Sequence, residues 1–417
     1  MCSAVLTVQS ARKVVLGNCE KIPQALLPID RVPIFDSYCR VLAESVVLDR
    51  DQPPFARAMR DGFALQAGSV EEVPATLQCI GEVKAGEVSK LTVQPGQVVQ
   101  IMTGAAVPAG ADAVVMVEHT SRLTEAAVSV LRAVRTGENV APCGSERKAG
   151  EMVLTPGRRI AAFDMAVLAT VGKVEIAVYR RPVVSILATG DELVRVEEVP
   201  GPAQIRNSNS FSLYAQARGC GAVPRVLETA GDNLSELKRQ IQVGLESEVL
   251  LVSGGVSMGK YDLVEQAFQE AGVEIHFDAV SMRPGKPTVF ASRGPHWVFG
   301  LPGNPLSTFV AFELFVKPVL QALQGMPAET MPLIEATLHA DVAEKSGRSA
   351  FLPARVISRP GGLEITPVRW KGSADIFGSA EANALLVVPQ EVARVSRGER
   401  VQALLVGCIE YDSEPRF

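Results

Sequence analysis

The 417-residue chain has no excess of basic residues. Its 41 Lys and Arg stand against 46 Asp and Glu, a net charge of -5. That balance lacks the electrostatic footprint of a nucleic-acid binder. Its seven cysteines form no C-x-x-C pair, and their number is odd. A disulfide framework is therefore not expected, and a reducing cytoplasm is. Four widely separated histidines, at 119, 276, 296 and 339, offer no zinc-like constellation. Unbroken apolar runs are also lacking. Two long uncharged stretches, 91–111 and 294–312, are interrupted by Pro and Gly in "VQPGQ" and "GLPGNP". A membrane helix needs about 20 predominantly apolar residues, so no membrane span is expected. The first 21 residues contain basic side chains and no long apolar core, which argues against an export signal. No internal repeat or low-complexity tract is visible.

What is present is a core-rich composition, 47% hydrophobic and 21% charged. Length alone suggests about three domains at about 150 residues each. From Arg181 to about Gly325, strand and helix signals alternate. "PVVSILATG", "AVPRVLET", "EVLLVSGG", "VEIHFDAV" and "HWVFG" read as strands. "SNSFSLYAQARG", "NLSELKRQIQVGLES", "LVEQAFQEAG" and "PLSTFVAFELFVKPVLQAL" read as helices. This alternation predicts a doubly wound parallel sheet covered on both faces. Ligands of such folds bind beyond the carboxyl ends of the strands. Residues 50–140 carry short Val-, Gly- and Pro-rich runs and read as a β-rich insertion. Segments 36–47 and 158–171 read as helices beside it. Residues 331–410 again suggest short strands and turns.

Three loops follow predicted strands at one sheet edge: "LATGDEL" (187–193), "VSGGVSMGKYD" (252–262) and "GLPGNPLSTF" (300–309). Glycines there permit positive φ and let backbone N–H groups approach an anion. A single such loop reads more readily as a tight strand-to-helix turn; three at one edge suggest a phosphate or oxyanion site. Ser307 lies near a helix start that favours an anion. Asp191, Glu192, Asp232 and Asp262 follow strands on the same edge. Carboxylates beside phosphates suit Mg²⁺. Asp232 and Asp262 could instead cap the helices starting near Leu234 and Leu263. Lys286 sits in the turn "RPGKP" (283–287).

Taken in order and spacing, "MRDGFAL" (59–65), "MTGAAVPAGADAVVMVE" (102–118), "LATGDEL", "SGGVSMGKYD", "RPGKP" and "LPGNPLST" resemble the MoeA family of molybdopterin molybdenumtransferases, to which the gephyrin E domain also belongs. The resemblance runs from about Ile22 to about Val406. It implies four parts: a helical linker domain (1–49 and 141–180), a β-rich inserted domain (50–140), a molybdopterin-binding α/β domain (181–327) and a small C-terminal β domain (328–417). It also implies a homodimer whose cleft joins the α/β domain of one copy to the β-rich domain of the other. The family reaction takes adenylylated molybdopterin and molybdate as substrates. It hydrolyses the adenylyl phosphate link with Mg²⁺, releases AMP and inserts molybdenum. Further partners implied are the adenylyltransferase of the same pathway and acceptor molybdoenzymes.

Carried over residue by residue, the resemblance assigns activity to Asp61, Thr103, Glu192, Asp232 and Asp262. Asp232 and Asp262 are the implied metal ligands. Thr189, Gly190, Asp191, Asn209, Ser253, Gly254, Gly255, Ser257 and Asn304 are implied to bind the pterin substrate. Lys286, Pro287, Ser307, Arg348 and Ser373 are implied to bind molybdate. The chain departs from the pattern at Arg60 and Phe63, at Asn233 after Asp232, and at Ser145-Glu146 after Gly144. Three other readings stand beside the leading one. One is the preceding adenylyltransferase, whose domain resembles residues 181–325. Another is a gephyrin-like scaffold, and the third is a variant that inserts tungstate.

Overall fold

The computed structural model describes residues 5–87, 89–255, 263–327 and 331–411. The chain forms two compact units. One contains residues 44–155 and 161–175, and the other holds the remainder.

The α/β part of the larger unit centres on a six-stranded sheet. Its strands are β1 (Val183–Ala188), β2 (Val223–Val226), β3 (Val249–Ser253), β4 (Glu274–Phe277), β5 (Val289–Arg293) and β6 (His296–Leu301). The spatial order is β2-β1-β3-β6-β5-β4. The run β2-β1-β3-β6 is parallel, while β5 pairs antiparallel with both β6 and β4. Period-two alternation explains its double cover. Ile186, Val249 and Leu251 pack into one core with Leu213 and Ala217 of helix α1 (Asn209–Gly219). Their neighbours Leu187, Leu250 and Val252 pack into a second core on the opposite face. There they meet Leu237 and Ile241 of α2 (Leu234–Gly244) and Phe268 of α3 (Leu263–Glu270). Strands buried on both faces are apolar without a polar face, which is why these runs were legible as strands.

The expected long helix after β6 is α4 (Pro305–Ala311), a π-helical turn (Phe312–Val316) and α5 (Lys317–Ala322). Pro318 has no N–H to give to the Leu314 carbonyl four residues back. Arg12 Nη1, from the helix Val8–Cys19, donates to that carbonyl at 2.7 Å instead.

A second sheet in this unit is built on the long strand Ser349–Arg359, which pairs with Gly362–Pro367 and Ala384–Val388. It also recruits Val280–Arg283, whose Met282 and Arg283 register with Ser349 and Ala350. Leu6–Thr7 pairs in turn with Val280 and Ser281.

The smaller unit centres on a six-stranded sheet, in order Ala113–Met116, Gly62–Leu65, Gln97–Ile101, Ala75–Val83, Ala127–Val130 and Thr120–Thr124. It too has a core on each face. Phe63, Leu65 and Val115 lie in one; Ala64, Val99 and Val114 lie in the other.

The helix expected over 36–47 is absent. A single turn, Ile34–Asp36, precedes extended backbone, and Cys39 adopts φ 61°. The N–H groups of Cys39, Leu42 and Ala43 donate to carbonyls of Ile160, Arg158 and Ala177. Pairing with distant segments overrides local helix preference here. The helix expected over 158–171 occupies Ala162–Thr170.

Candidate functional site

Three loops leave β1, β3 and β6 at their carboxyl ends and enclose a cavity of about 850 Å³. Gly254 and Gly255 have φ of 98° and 66°, a region that favours glycine. A Cβ on Gly254 would run into the Thr189 carbonyl, so the loops after β1 and β3 approach too closely for any side chain. Close packing consumes donors expected to face a ligand. The N–H groups of Thr189, Gly190 and Gly254 donate to Ser253, Ala230 and Leu301 carbonyls. Among the described residues, no acceptor meets the N–H groups of Gly255, Gly303 and Asn304, and all three residues line the cavity.

Asn209, the first residue of α1, ties these loops together. Its Nδ2 donates to Ser253 Oγ and the Gly303 carbonyl, each at 2.8 Å. Its Oδ1 is buried and finds no partner among the described residues.

The acids divide into support and display. Asn233, not Asp232, caps α2, accepting from the N–H groups of Ser235 and Glu236. Asp232 is thereby released from the capping alternative and lines the cavity, as Glu192 does. Asp191 is a loop staple instead, accepting the Asp232 N–H at 2.9 Å. Ser257 and Asp262 lie outside the described residues. Among the described residues, no three His, Cys, Asp or Glu side chains gather to hold a metal. One carboxylate plus substrate phosphates is nevertheless an ordinary Mg²⁺ environment, and Asp232 fits it.

A second cavity, of about 380 Å³, adjoins the first and shares Pro287, Pro302 and Asn304 as walls. Lys286, Ser307, Arg348 and Ser373 all line it, together with Arg283 and Trp370. The pairing of Val280–Arg283 with Ser349 explains the convergence, because it brings the "RPGKP" turn beside Arg348. Arg348 Nη1 reaches the Met282 carbonyl at 3.4 Å. Ser373 Oγ accepts from Asn304 Nδ2 at 2.9 Å, joining the two cavities. Ser307 is only 4% exposed, in the first turn of α4. Arg283 Nη1 contacts both oxygens of Glu344, at 3.0 and 2.9 Å. Burial pushes the Glu344 carboxyl up, but donors on Ser346 and Arg283 outweigh it and hold it below its usual range.

Asp61 and Thr103 lie in the smaller unit and meet each other. The Thr103 N–H and hydroxyl donate to Asp61 Oδ1 at 2.7 and 2.9 Å. Those two bonds hold the Asp61 carboxyl below its usual range. Gly62 follows because a Cβ there would strike the Val115 carbonyl of the neighbouring strand. Two departures from the expected pattern have structural explanations. Phe63 is 4% exposed and belongs to the sheet core. Glu146 pairs with Arg57 at 2.6 Å.

Sequence reasoning missed Arg206, Phe377, Arg283 and Trp370, all of which line these cavities. Arg283 stood inside a quoted motif. Phe377 carried no local signal, yet it is 85% exposed on the cavity wall.

The α/β fold and its loop-lined cavity define a molybdopterin-binding type of enzyme: residues 185–322 match the probable molybdopterin binding domain. Residues 6–172 match the MoeA N-terminal region (domains I and II), and residues 335–406 match the MoeA C-terminal region (domain IV). A molybdopterin molybdenumtransferase of Bacillus subtilis (strain 168) is 37% identical over 383 residues, covering 90% of this chain and 89% of the relative. A molybdopterin molybdenumtransferase of Staphylococcus epidermidis is 33% identical over 384 residues, covering 91% of each. The crystal structure of the molybdopterin biosynthesis MoeA protein from Pyrococcus horikoshii OT3 aligns with a TM-score of 0.81 and 29% identity, over 96% of this chain and all of that one. The chain belongs to the MoeA family of molybdopterin molybdenumtransferases. It is a transferase of molybdenum cofactor biosynthesis.

Proposed function

We propose that the enzyme takes adenylylated molybdopterin and molybdate, hydrolyses the adenylyl phosphate link in a Mg²⁺-dependent step, releases AMP and yields molybdenum cofactor. The observation that carries this reading is the contrast between two adjoining cavities. The larger is lined by Glu192, Asp232 and by Gly255, Gly303 and Asn304, whose N–H groups meet no acceptor among the described residues. The smaller is lined by Arg283, Lys286 and Arg348 and by no described carboxylate. A phosphate-bearing pterin suits the first and a tetrahedral dianion suits the second.

Asp232 would hold Mg²⁺ with substrate phosphate oxygens; the ion when bound neutralises charge and polarises the phosphoryl group. In this reading Glu192, on the cavity wall, accepts a proton from the attacking water. Lys286 and Arg348 supply charge to molybdate, while Ser307 and Ser373 supply hydroxyl donors. Asp262 and Ser257 complete the ligand set in this reading, as a second metal carboxylate and a pterin contact. Thr189, Gly190 and Asp191 contribute by shaping the loop, with Asn209 and Ser253 holding it closed. The enzyme works in the cytoplasm as a homodimer, between the adenylyltransferase that supplies its substrate and the molybdoenzymes that accept its product. The four-part division at 1–49 with 141–180, 50–140, 181–327 and 328–417 belongs to the same reading.

Against the adenylyltransferase reading, the smaller cavity draws Arg348, Trp370 and Ser373 from beyond residues 181–325. The test is incubation of the purified protein with adenylylated molybdopterin, Mg²⁺ and molybdate or tungstate, following AMP and cofactor. Asp232→Asn should slow AMP release and weaken its Mg²⁺ dependence. An unchanged Mg²⁺ titration removes the metal role, and cofactor formation that ignores the oxyanion sinks the whole reading.

A further inference from the structure

The larger cavity has a charge problem. Its described lining includes two carboxylates, Glu192 and Asp232, and one cation, Arg206. A phosphate beside two carboxylates requires positive charge. Backbone N–H groups supply only partial charge.

Arg206 is held by its own loop. Leu193–Val194 pairs in parallel with Ile205–Arg206, closing the intervening residues into a loop. Arg206 Nε donates to the carbonyls of Val196 and Glu198, each at 3.0 Å. The Ile205 N–H donates to the Glu192 carbonyl at 2.8 Å, which ties the arginine strand to a cavity acid. Among the described residues, neither terminal guanidinium nitrogen has a partner and no carboxylate pairs with Arg206. A residue serving only to close the loop would need the Nε donor alone. A guanidinium anchored through Nε keeps its two outer amino groups fixed in orientation, a geometry that matches a phosphate fork.

We propose that Arg206 is a phosphate-recognising residue of the larger cavity, preset by its loop to bind the phosphate of a nucleoside monophosphate or its ester. This rests on the reading that the cavity takes an adenylylated substrate. Arg206 offsets one of the two carboxylate charges of Glu192 and Asp232 before any divalent cation binds.

The experiment is calorimetric titration of the full chain with AMP and with adenosine, for wild type, Arg206→Ala and Arg206→Lys. Arg206→Ala should weaken AMP binding about ten- to a hundredfold, as expected for losing a charged hydrogen bond, and leave adenosine unchanged. Arg206→Lys should fall between, because it keeps charge but loses the Nε anchor. The AMP affinity of Arg206→Ala should also depend less on salt. Equal loss of AMP and adenosine would show loop collapse rather than phosphate recognition, and unchanged AMP affinity would show no contact; either overturns the proposal. If wild type itself binds neither AMP nor adenylylated pterin, the parent reading falls with it, whereas tight wild-type binding with an indifferent Arg206→Ala removes only this inference.

Discussion

A small dianion draws its affinity mainly from charge, so single substitutions in the smaller cavity should be easy to read. Removing a charged hydrogen-bond partner costs about 1.5–3 kcal/mol, or roughly one to two decades in affinity. Lys286→Ala or Arg348→Ala should therefore raise the molybdate concentration for half-maximal cofactor synthesis by about that factor. Excess molybdate should restore much of the rate, while direct binding of the adenylylated pterin changes less. A collapse of pterin binding with unaltered molybdate dependence would remove these residues from the oxyanion pocket. Glu344 gives a pH signature. Its carboxyl is held below the usual value in the folded protein. A depressed acid contributes its full stability above its unfolded value, about 4.3, and loses it as pH falls through the folded value. Glu344→Gln should thus be less stable than wild type in urea at pH 7, with the gap closing in acid. A gap that widened below pH 4 would contradict the pairing with Arg283. Residue placement was unevenly visible in the sequence. The turn that holds Lys286 and the helix start beside Ser307 were legible because short motifs mark both. The stapling role of Asp191 and the cap at Asn233 were not, since both depend on which neighbour the folded loop brings within reach.

At the scale of elements, the helix Val8–Cys19 and the π-helical turn form one device. Pro318 withholds a donor from Leu314, and Arg12 supplies one from another helix. Arg12→Ala should destabilise the chain by about 1–3 kcal/mol, the usual range for a lost charged donor to a buried acceptor. Adding Pro318→Ala, which restores an N–H, should recover part of that loss. Strict additivity in urea melts of the two single variants and the double variant would show the sites are independent. This device also marks a limit of sequence reading. "PLSTFVAFELFVKPVLQAL" reads as one helix because its apolar periodicity is continuous. The π turn goes with a carbonyl that Pro318 cannot serve and that a partner about 300 residues away does, and no local window contains that partner. The central strands β1, β3 and β6 of the α/β sheet were legible for the opposite reason: each is a short apolar run bounded by turn residues, whereas β5 (Val289–Arg293) was not read as a strand. Segment 36–47 was misread because its backbone partners lie at 158–160 and 177.

For the whole molecule, the proposed dimer makes a sharp prediction. Light scattering at micromolar concentration should give twice the 44.4 kDa chain mass. If a site draws Asp61 from one copy and Lys286 from the other, mixing Asp61→Asn and Lys286→Ala chains, each impaired alone at limiting molybdate, should regain activity at that molybdate concentration through one intact site per mixed dimer. A fully active monomer, or no regain on mixing, would argue against a shared site. The pairing of Leu6–Thr7 with Val280–Ser281 carries a consequence for biosynthesis. The strand's partner is translated 274 residues later, from Thr7 to Ser281. At about 5–20 residues per second, the N-terminal strand waits roughly 14–55 s for it. Through that interval the apolar face of Val8–Cys19, with Val8, Ala11 and Val15, lacks much of its eventual cover from residues 280–320. The emerging chain should therefore be a client for holding chaperones at its first helix, long after the β-rich unit behind it can have folded.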